Sequence, residues 1–222
     1  MLSDIWVYKK TARILIGVLL LAVALLATQN WMLGLLVFIV AAACILPEGW
    51  MPEGLDDSKK LSEKKREALF SLITEGAVSY GVASASAEEI DRYNILEASL
   101  LAMRRAVAAL SPQPQLLLVD GSISRGFSLP ARAVVSGDAL SPSVAAASIL
   151  AKVTRDRLCL EMDAQYPLYG FARHKGYPTA EHKLAVFEYG PCPWHRRSFL
   201  GFLEKDHDKL AAALAARRAP SP

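Results

Sequence analysis

A stretch without a single charged residue runs from Ile14 to Leu46, and it restricts the fold more than any other feature. Its strongly polar part is the central tripeptide Thr28-Gln29-Asn30. A membrane-spanning helix needs about 20 apolar residues, so the stretch could form one span, a helical hairpin or a signal peptide. No small-x-small cleavage site follows its first arm, which argues against the signal peptide. The remaining alternative is a pair of buried strands, which residues 39–46 suit well.

Length, charge and cysteine content narrow the class of protein. The 222 residues suffice for one domain with a substantial core and an appendage. The net charge of +3 is compatible with a nucleic-acid partner but does not indicate one by itself. Cys44, Cys159 and Cys192 are far apart and lack metal-ligand or redox spacing. Reduced thiols in a cytosolic domain are therefore expected.

Composition changes from apolar to mixed at the turn-rich segment 47–52, so we place the main boundary near residues 40–47. Beyond it, helical and strand patterns alternate, which predicts an α/β fold with a mixed sheet flanked by helices. The expected helices begin after the N-caps Ser62, Ser86 and Thr179, and Ser86 has capping-box spacing. Further expected elements are strands at 78–85, 115–119 and 131–135, and helices at 95–110, 143–166 and 204–218.

Two acids follow expected strands. Asp120 closes the apolar segment Leu116-Leu-Leu-Val119, and Asp138 follows the next strand along the chain. Taken singly, each is more often a turn residue. The carboxyl ends of neighbouring parallel strands meet at one sheet edge, however, where α/β proteins place ligands. Two carboxylates at that edge could share divalent cations such as Mg²⁺.

Basic and aromatic residues are grouped in two later segments, which could contact phosphates and stack on a base or sugar. A solvated basic surface is the alternative. The candidate substrate-binding residues are Lys59, Arg173, Lys175, Tyr177, Arg196 and Arg197. His174, His182 and His195 lack helical metal-ligand spacing and are predicted to be surface or substrate-side groups rather than zinc ligands. Asp156 lies between two arginines, which predicts a surface ion pair, with support of the active-site residues as the alternative.

Many short segments occur in a fixed order along the chain. They are Gly54-Leu-Asp-Asp-Ser-Lys-Lys-Leu-Ser62, Asn94-Ile-Leu96, Leu118-Val-Asp-Gly121, Gly137-Asp138, Ala145-Ala-Ala-Ser-Ile-Leu-Ala-Lys-Val-Thr-Arg-Asp-Arg157, Tyr169-Gly-Phe171, His174-Lys-Gly-Tyr177 and His195-Arg-Arg-Ser-Phe199. Over residues 41–202 the chain resembles the bacterial ribonuclease HII family. The resemblance implies an RNase H-like fold and Mg²⁺ or Mn²⁺ as cofactor. The implied activity is cleavage of RNA in RNA–DNA hybrids and at single ribonucleotides in duplex DNA.

The family uses four acids, and the resemblance assigns two of them here, to Asp120 and Asp138. Lys59 corresponds to its active-site lysine and Tyr177 to its substrate-sensing tyrosine. The other two acids belong to a first-strand motif, Asp-Glu-x-Gly-Arg-Gly, that this sequence lacks. Counting back from Pro47 by the family's spacing places Thr28 and Gln29 at the Asp-Glu positions. No acid lies between Asp4 and Glu48 to compensate, so weakened metal binding and cleavage are expected.

Three interpretations of the N-terminal segment follow, with expected regions at 1–40 (hydrophobic segment), 41–203 (ribonuclease HII-like domain) and 204–222 (C-terminal helix and tail). In the first, an impaired, monomeric, cytoplasmic ribonuclease has a replaced N-terminus. In the second, a catalytically inactive hybrid-binding protein is attached to a membrane through residues 14–46, with a cytoplasmic N-terminus. In the third, the apolar residues substitute for the first strand of the sheet.

Overall fold

The computed structural model describes residues 38–219 in full and the backbone of residues 15–20. Its five strands are β1 (Leu15–Leu20), β2 (Ile39–Ile45), β3 (Ser79–Ala85), β4 (Leu116–Asp120) and β5 (Ala131–Val134). They form one sheet in the order β3-β2-β1-β4-β5. The pairs β1–β2 and β2–β3 are antiparallel, whereas β1–β4 and β4–β5 are parallel. The predicted mixed sheet is therefore confirmed.

Helices cover both faces of this sheet. They are α1 (Glu63–Gly76), α2 (Ala87–Ala108), α3 (Gly137–Leu140), α4 (Pro142–Gln165), α5 (Phe171–His174), α6 (Ala180–Tyr189), α7 (Phe202–Lys205) and α8 (His207–Arg218). Short 3₁₀ turns lie at Pro167–Tyr169 and Arg197–Phe199. The α1 and α4 side chains pack in one apolar cluster, and the α2 side chains pack in a second.

The strand β2 shows why a fully apolar sequence suits this position. Every residue of Ile39–Ile45 is buried. Because successive side chains point to opposite faces of a sheet, Val40, Ala42 and Cys44 join the α4 cluster. The alternate residues of the strand join the α2 cluster instead. A strand with helices on both faces needs no polar face, which explains the continuous apolar pattern.

Local capping signals were predicted correctly. The side chains of Ser62 and Thr179 accept hydrogen bonds from the first turns of α1 and α6. Ser86 and Glu89 form the expected capping box at the start of α2. Two expected helical stretches are joined in α2 across a kink at Asn94, whose φ is 69°. The single helix predicted for residues 204–218 is instead divided at Asp206 between α7 and α8.

Two parts of the uncharged stretch, residues 15–20 and 39–45, are strands of the sheet. Thr28, Gln29 and the centre of the proposed membrane hairpin lie outside the described residues. Among the helices that are described, none is long and apolar enough to cross a bilayer. The three cysteines are buried and free, and burial raises the pKa of the Cys44 thiol to about 12.

Candidate active site

Asp120 is the last residue of β4, at the sheet edge where the parallel strands end. Its Oδ1 accepts a hydrogen bond of 2.7 Å from the amide of Gly137. A Cβ at position 137 would lie 3.3 Å from the same oxygen, so glycine allows this close approach. Burial raises the pKa of the Asp120 carboxyl, the Gly137 hydrogen bond opposes the rise, and the charge of Asp138 adds to it.

Asp138 lies in the first turn of the short helix α3, directly after β5. Only 9% of the residue is exposed, and its Oδ1 accepts a hydrogen bond of 3.0 Å from the amide of Ala139. Burial raises the pKa of its carboxyl, and the negative charge of Asp57 raises it further. The structure thus brings the two predicted acids together, because β4 and β5 are parallel neighbours that end at the same edge.

A loop over residues 55–61 contributes two charged residues to these acids. The positive charge of Lys59 lowers the pKa of both Asp120 and Asp138, and the negative charge of Asp57 raises both. Lys59 was predicted from the sequence, whereas Asp57 was not. In the sequence, only its position two residues before Lys59 could have indicated it. In the structure, Asp57 Oδ1 accepts a hydrogen bond of 2.9 Å from the Lys59 amide.

The long helix α4 anchors this loop. Ser58 is fully buried, and the hydroxyls of Ser148 and Ser58 are 2.5 Å apart. Arg66 donates from Nη1 to the carbonyl oxygens of Ser58 and Leu61, at 3.1 and 2.5 Å. The motif that includes Ser148 therefore fixes the backbone that carries Asp57 and Lys59.

Asp156 completes the anchor, and its predicted surface position is wrong. Only 6% of the residue is exposed. Its carboxylate pairs with Lys152 at 2.7 Å and with Arg66 at 3.7 Å. Because α4 packs against α1 in the core, the acid faces inwards between Arg66 and Lys152 rather than towards solvent.

The predicted substrate-binding residues of the His-Lys-Gly-Tyr segment lie after α5. Tyr177 is 38% exposed, and the Arg155 guanidinium lies 4.9 Å from its ring centroid. Arg155 also donates to the carbonyl oxygen of Lys175 at 2.6 Å. Arg173 is exposed and pairs with Glu181 at 3.4 Å. The helix α4 therefore holds both this segment and the Lys59 loop.

Arg196 and Arg197 differ in their surroundings. Arg196 is 5% exposed, pairs with Asp91 at 3.5 Å, and lies 4.0 Å from the ring centroid of Phe199. It stabilises its own loop, and we therefore remove it from the substrate-binding set. The side chain of Arg197 is exposed, and its backbone amide donates to Asp91.

The histidines were predicted to be surface or substrate-side groups rather than zinc ligands, and the surface position is wrong. His174, His182 and His195 are 8%, 0% and 5% exposed. They pack with Tyr169 and Phe171 in the interior. Sequence spacing could not reveal this, because the three residues come from α5, α6 and a loop.

The donor set at the acids limits which metal could be held. Asp120 and Asp138 offer carboxylate oxygens, the hard ligands that Mg²⁺ and Mn²⁺ prefer. Within residues 38–219, no three or more His, Cys, Asp or Glu side chains converge as a metal-binding group. Two carboxylates fit one hydrated cation completed by phosphate oxygens, and they are a poor fit for two cations.

The family model described as Ribonuclease HII matches residues 32–201, which is more than half of the chain. The chain belongs to the ribonuclease HII family. Ribonuclease HII 1 of Methylibium petroleiphilum is 55% identical over 161 residues, which cover 72% of this chain and 81% of that protein. Ribonuclease HII of Burkholderia vietnamiensis is 56% identical, over 72% of this chain and 74% of that protein.

Solved structures agree with the RNase H-like fold. Ribonuclease H2 from Pyrococcus horikoshii superposes with a TM-score of 0.69 at 24% identity, covering 89% of this chain and 99% of that chain. RNase HII of Archaeoglobus fulgidus, in a complex with PCNA, superposes with a TM-score of 0.60 at 20% identity. The match covers 93% of this chain and 98% of that chain. Members of this family are ribonucleases, a class of hydrolase. The family generally depends on divalent metal ions.

Proposed function

We propose that this chain is a ribonuclease HII-type endonuclease that binds RNA–DNA hybrids and ribonucleotide-containing duplexes but cleaves them poorly. The observation that carries the proposal is that β1 has no acid beside Asp120 at the edge of the sheet. The last β1–β4 pair is Val18 with Val119, so the next position on β1, level with Asp120, is Leu19. Leu20 follows it, and neither residue has a carboxyl group.

The β1 register offers a second placement for the missing family acids. Sequence spacing assigns them to Thr28 and Gln29, which lie outside the described residues. The strand beside β4 would instead assign them to Leu19 and Leu20. Both placements have the same chemical consequence, because no residue between Asp4 and Glu48 is an acid.

Asp120 and Asp138 would hold the Mg²⁺ or Mn²⁺ ion. A divalent cation there would stabilise the charge that develops on phosphate oxygens during hydrolysis. The raised pKa values of both carboxyls reflect burial and neighbouring negative charge, which bound positive charge would relieve. With two carboxylates rather than four, we expect weak metal affinity and severely reduced cleavage.

Substrate binding depends on groups that the chain retains. Lys59 lies in the electrostatic field of the acids, where it can pair with a phosphate. The exposed ring of Tyr177 offers a stacking surface for a sugar or base. Arg173, Lys175 and Arg197 add positive charge, and phosphate contacts of this kind supply much of nucleic-acid affinity. Binding should therefore survive the loss of cleavage.

We would test binding by fluorescence anisotropy of a DNA duplex that contains one ribonucleotide, with EDTA present. Lys59→Gln should weaken binding about 10-fold, the loss expected for one charged phosphate contact. Lys60→Gln is the matched control, since Lys60 pairs with the exposed Asp56 at 3.4 Å. Equal effects of the two variants, or no binding by the parent protein, would contradict the proposal.

A further inference from the structure

Three buried histidines form a connected group that the proposed cleavage does not use. The Nε2 atoms of His182 and His195 are 2.9 Å apart. The rings of His174 and His182 are stacked, with centroids 4.0 Å apart and planes inclined by 14°. We call His174, His182 and His195 the histidine network.

Hydrogen-bond partners fix the proton on each ring. His182 Nδ1 lies 3.0 Å from the carbonyl oxygen of Tyr177, an acceptor, so Nδ1 must carry the hydrogen. His182 Nε2 is then an acceptor, and it receives the hydrogen of His195 Nε2. His195 Nδ1 is left as an acceptor, and the Cys192 amide donates to it at 3.0 Å.

The third ring follows the same rule. His174 Nε2 donates to the carbonyl oxygen of Tyr169 at 2.7 Å. His174 Nδ1 accepts from the amide of Gly176 at 3.1 Å. Every ring nitrogen of the network therefore has a partner when all three histidines are neutral. An added proton would have to bind one of the acceptor lone pairs, each of which already faces an N–H group. At His195 Nδ1 the Cys192 amide nitrogen, at 3.0 Å, is closer than the Cys192 carbonyl oxygen, at 3.4 Å.

The network holds a turn with an uncommon backbone. Lys175 and Gly176 have φ values of 51° and 80°, and a non-glycine residue in this region is strained. Besides the Gly176 bond to His174, the Lys175 amide donates to Phe171 at 2.8 Å, and the Tyr177 amide donates to the His174 carbonyl at 2.8 Å. The Tyr177 carbonyl accepts from His182.

We propose that His174, His182 and His195 are positioning residues, which as neutral rings in one order of tautomers hold the Lys175–Gly176 turn and set where Tyr177 meets the nucleic acid. The part concerning nucleic acid rests on the proposed function, whereas the tautomer order stands on geometry alone. The turn carries Lys175 and Tyr177 together, so its loss would remove two substrate contacts at once.

Burial disfavours protonation of the network and outweighs the charged groups around it. Burial lowers the pKa of His182 to about 3 and of His195 to about 4. Burial also lowers the pKa of His174, an effect that Arg173 reinforces and that Asp163 and Glu181 oppose. The Cys192 thiol and the Tyr169 ring also contact His195. The network should therefore remain neutral throughout the neutral pH range.

Nitrogen-15 NMR of the histidine side chains tests the tautomer order without any substrate. At pH 7 we expect the Nδ1–H form for His182 and the Nε2–H form for His174 and His195. His207, which is exposed, serves as the internal reference. A charged ring, or the opposite tautomer at His182, would overturn the proposal even if the protein binds nucleic acid.

Two substitutions at one position separate positioning from bulk packing. An asparagine amide can replace His182 Nδ1–H towards Tyr177, whereas a glutamine amide reaches the Nε2 position towards His195. We expect His182→Gln to weaken binding of the ribonucleotide duplex about 10-fold and His182→Asn to change it by less than about 3-fold.

The effect of His182→Gln should become smaller in a Tyr177→Ala background, because part of it acts through the Tyr177 contact and the rest through Lys175. Additive effects, or equal losses for the asparagine and glutamine variants, would show that His182 only fills space. If the parent protein bound no duplex, the proposed function would fail, while the NMR result would still decide the order of tautomers.

Discussion

The parallel strands β1 and β4 lie side by side and end at the same edge of the sheet, yet they differ in what they place there. β4 ends in Asp120, which has the Gly137 amide, Asp138 and the Lys59 loop around it. At the level of Asp120, β1 has Leu19. Apolar residues suffice to pair a central strand, whereas metal chemistry requires charge at one or two positions. Under the proposed function, the fold therefore persists without an acid on β1 beside Asp120.

The largest effect is expected from placing acids on β1. Leu19→Asp with Leu20→Glu should raise Mn²⁺-dependent cleavage about 1000-fold, which corresponds to about 4 kcal/mol of transition-state stabilisation. Gel assays of a ribonucleotide-containing duplex would measure the rate. Thr28→Asp with Gln29→Glu is the matched control. If that control gains activity instead, the acids belong at the positions given by sequence spacing.

The histidine network and the two acids should change the stability of the protein with pH in opposite directions. The lowered pKa values of His182 and His195 contribute stability that is complete above about pH 6.5 and is lost as pH falls towards about 4 and then 3. From pH 7.5 to pH 5, the free energy of unfolding should fall by about 2 kcal/mol for each histidine. Urea denaturation would measure this.

The raised pKa values of Asp120 and Asp138 act in the other direction, since the folded protein takes up protons there more readily than the unfolded chain. Their effect should be smaller in the same interval. His207→Gln is the control, because His207 is exposed and lies outside the histidine network. A stability that increases as the pH is lowered from 7.5 to 5 would contradict the assignment of neutral, buried histidines.

Asp156 helps to anchor the loop that carries Lys59, and this contribution can be removed separately. Asp156→Ala leaves Arg66 as an uncompensated, largely buried charge and should destabilise the protein by about 3 kcal/mol in chemical denaturation. Glu67→Ala is the control in the adjacent pair Arg157–Glu67, which is 47% and 40% exposed. It should cost less than about 1 kcal/mol. Similar losses of stability for both variants would show that the buried pair of Asp156 and Arg66 stabilises the protein no more than an exposed pair does.

The smallest expected effect concerns the buried hydroxyl pair. Ser148→Ala leaves the Ser58 hydroxyl without its 2.5 Å partner and should cost about 1–2 kcal/mol. The double variant Ser58→Ala with Ser148→Ala should recover part of this loss, since no unpaired hydroxyl remains. Thermal unfolding would compare the three proteins. If the double variant lost more stability than the two single variants lost together, the hydroxyl pair would not be an isolated hydrogen bond.

Sequence reasoning succeeded where local signals decide the structure. The strand that ends at Asp120 could be predicted from its apolar run, and the caps Ser62, Ser86 and Thr179 follow simple spacing rules. Reasoning failed where distant segments meet. The closeness of Asp57 to the acids depends on the loop held by Ser148, ninety residues further along the chain. The interior position of His182 depends on contacts with His195 and Tyr177 that no period in the sequence reveals.

The uncharged stretch shows a different limit. Apolar content alone cannot distinguish a buried strand from a membrane segment, so residues 14–46 supported both interpretations. The sheet includes residues 15–20 and 39–45, which agrees with the strand alternative over those ranges. The division of the chain into regions 1–40, 41–203 and 204–222 remains a prediction, although the family match begins earlier, at residue 32.

The most direct test of the central claim is cleavage of a DNA duplex with one embedded ribonucleotide, in Mg²⁺ and in Mn²⁺, beside an Asp120→Asn control. Asparagine keeps an oxygen to accept from Gly137 but removes the negative charge. We predict that the wild-type protein binds the duplex and cuts it only slowly, at a rate little above that of the control. Rapid metal-dependent cutting that Asp120→Asn abolishes would contradict the account, because it would mean that two carboxylates suffice for full activity.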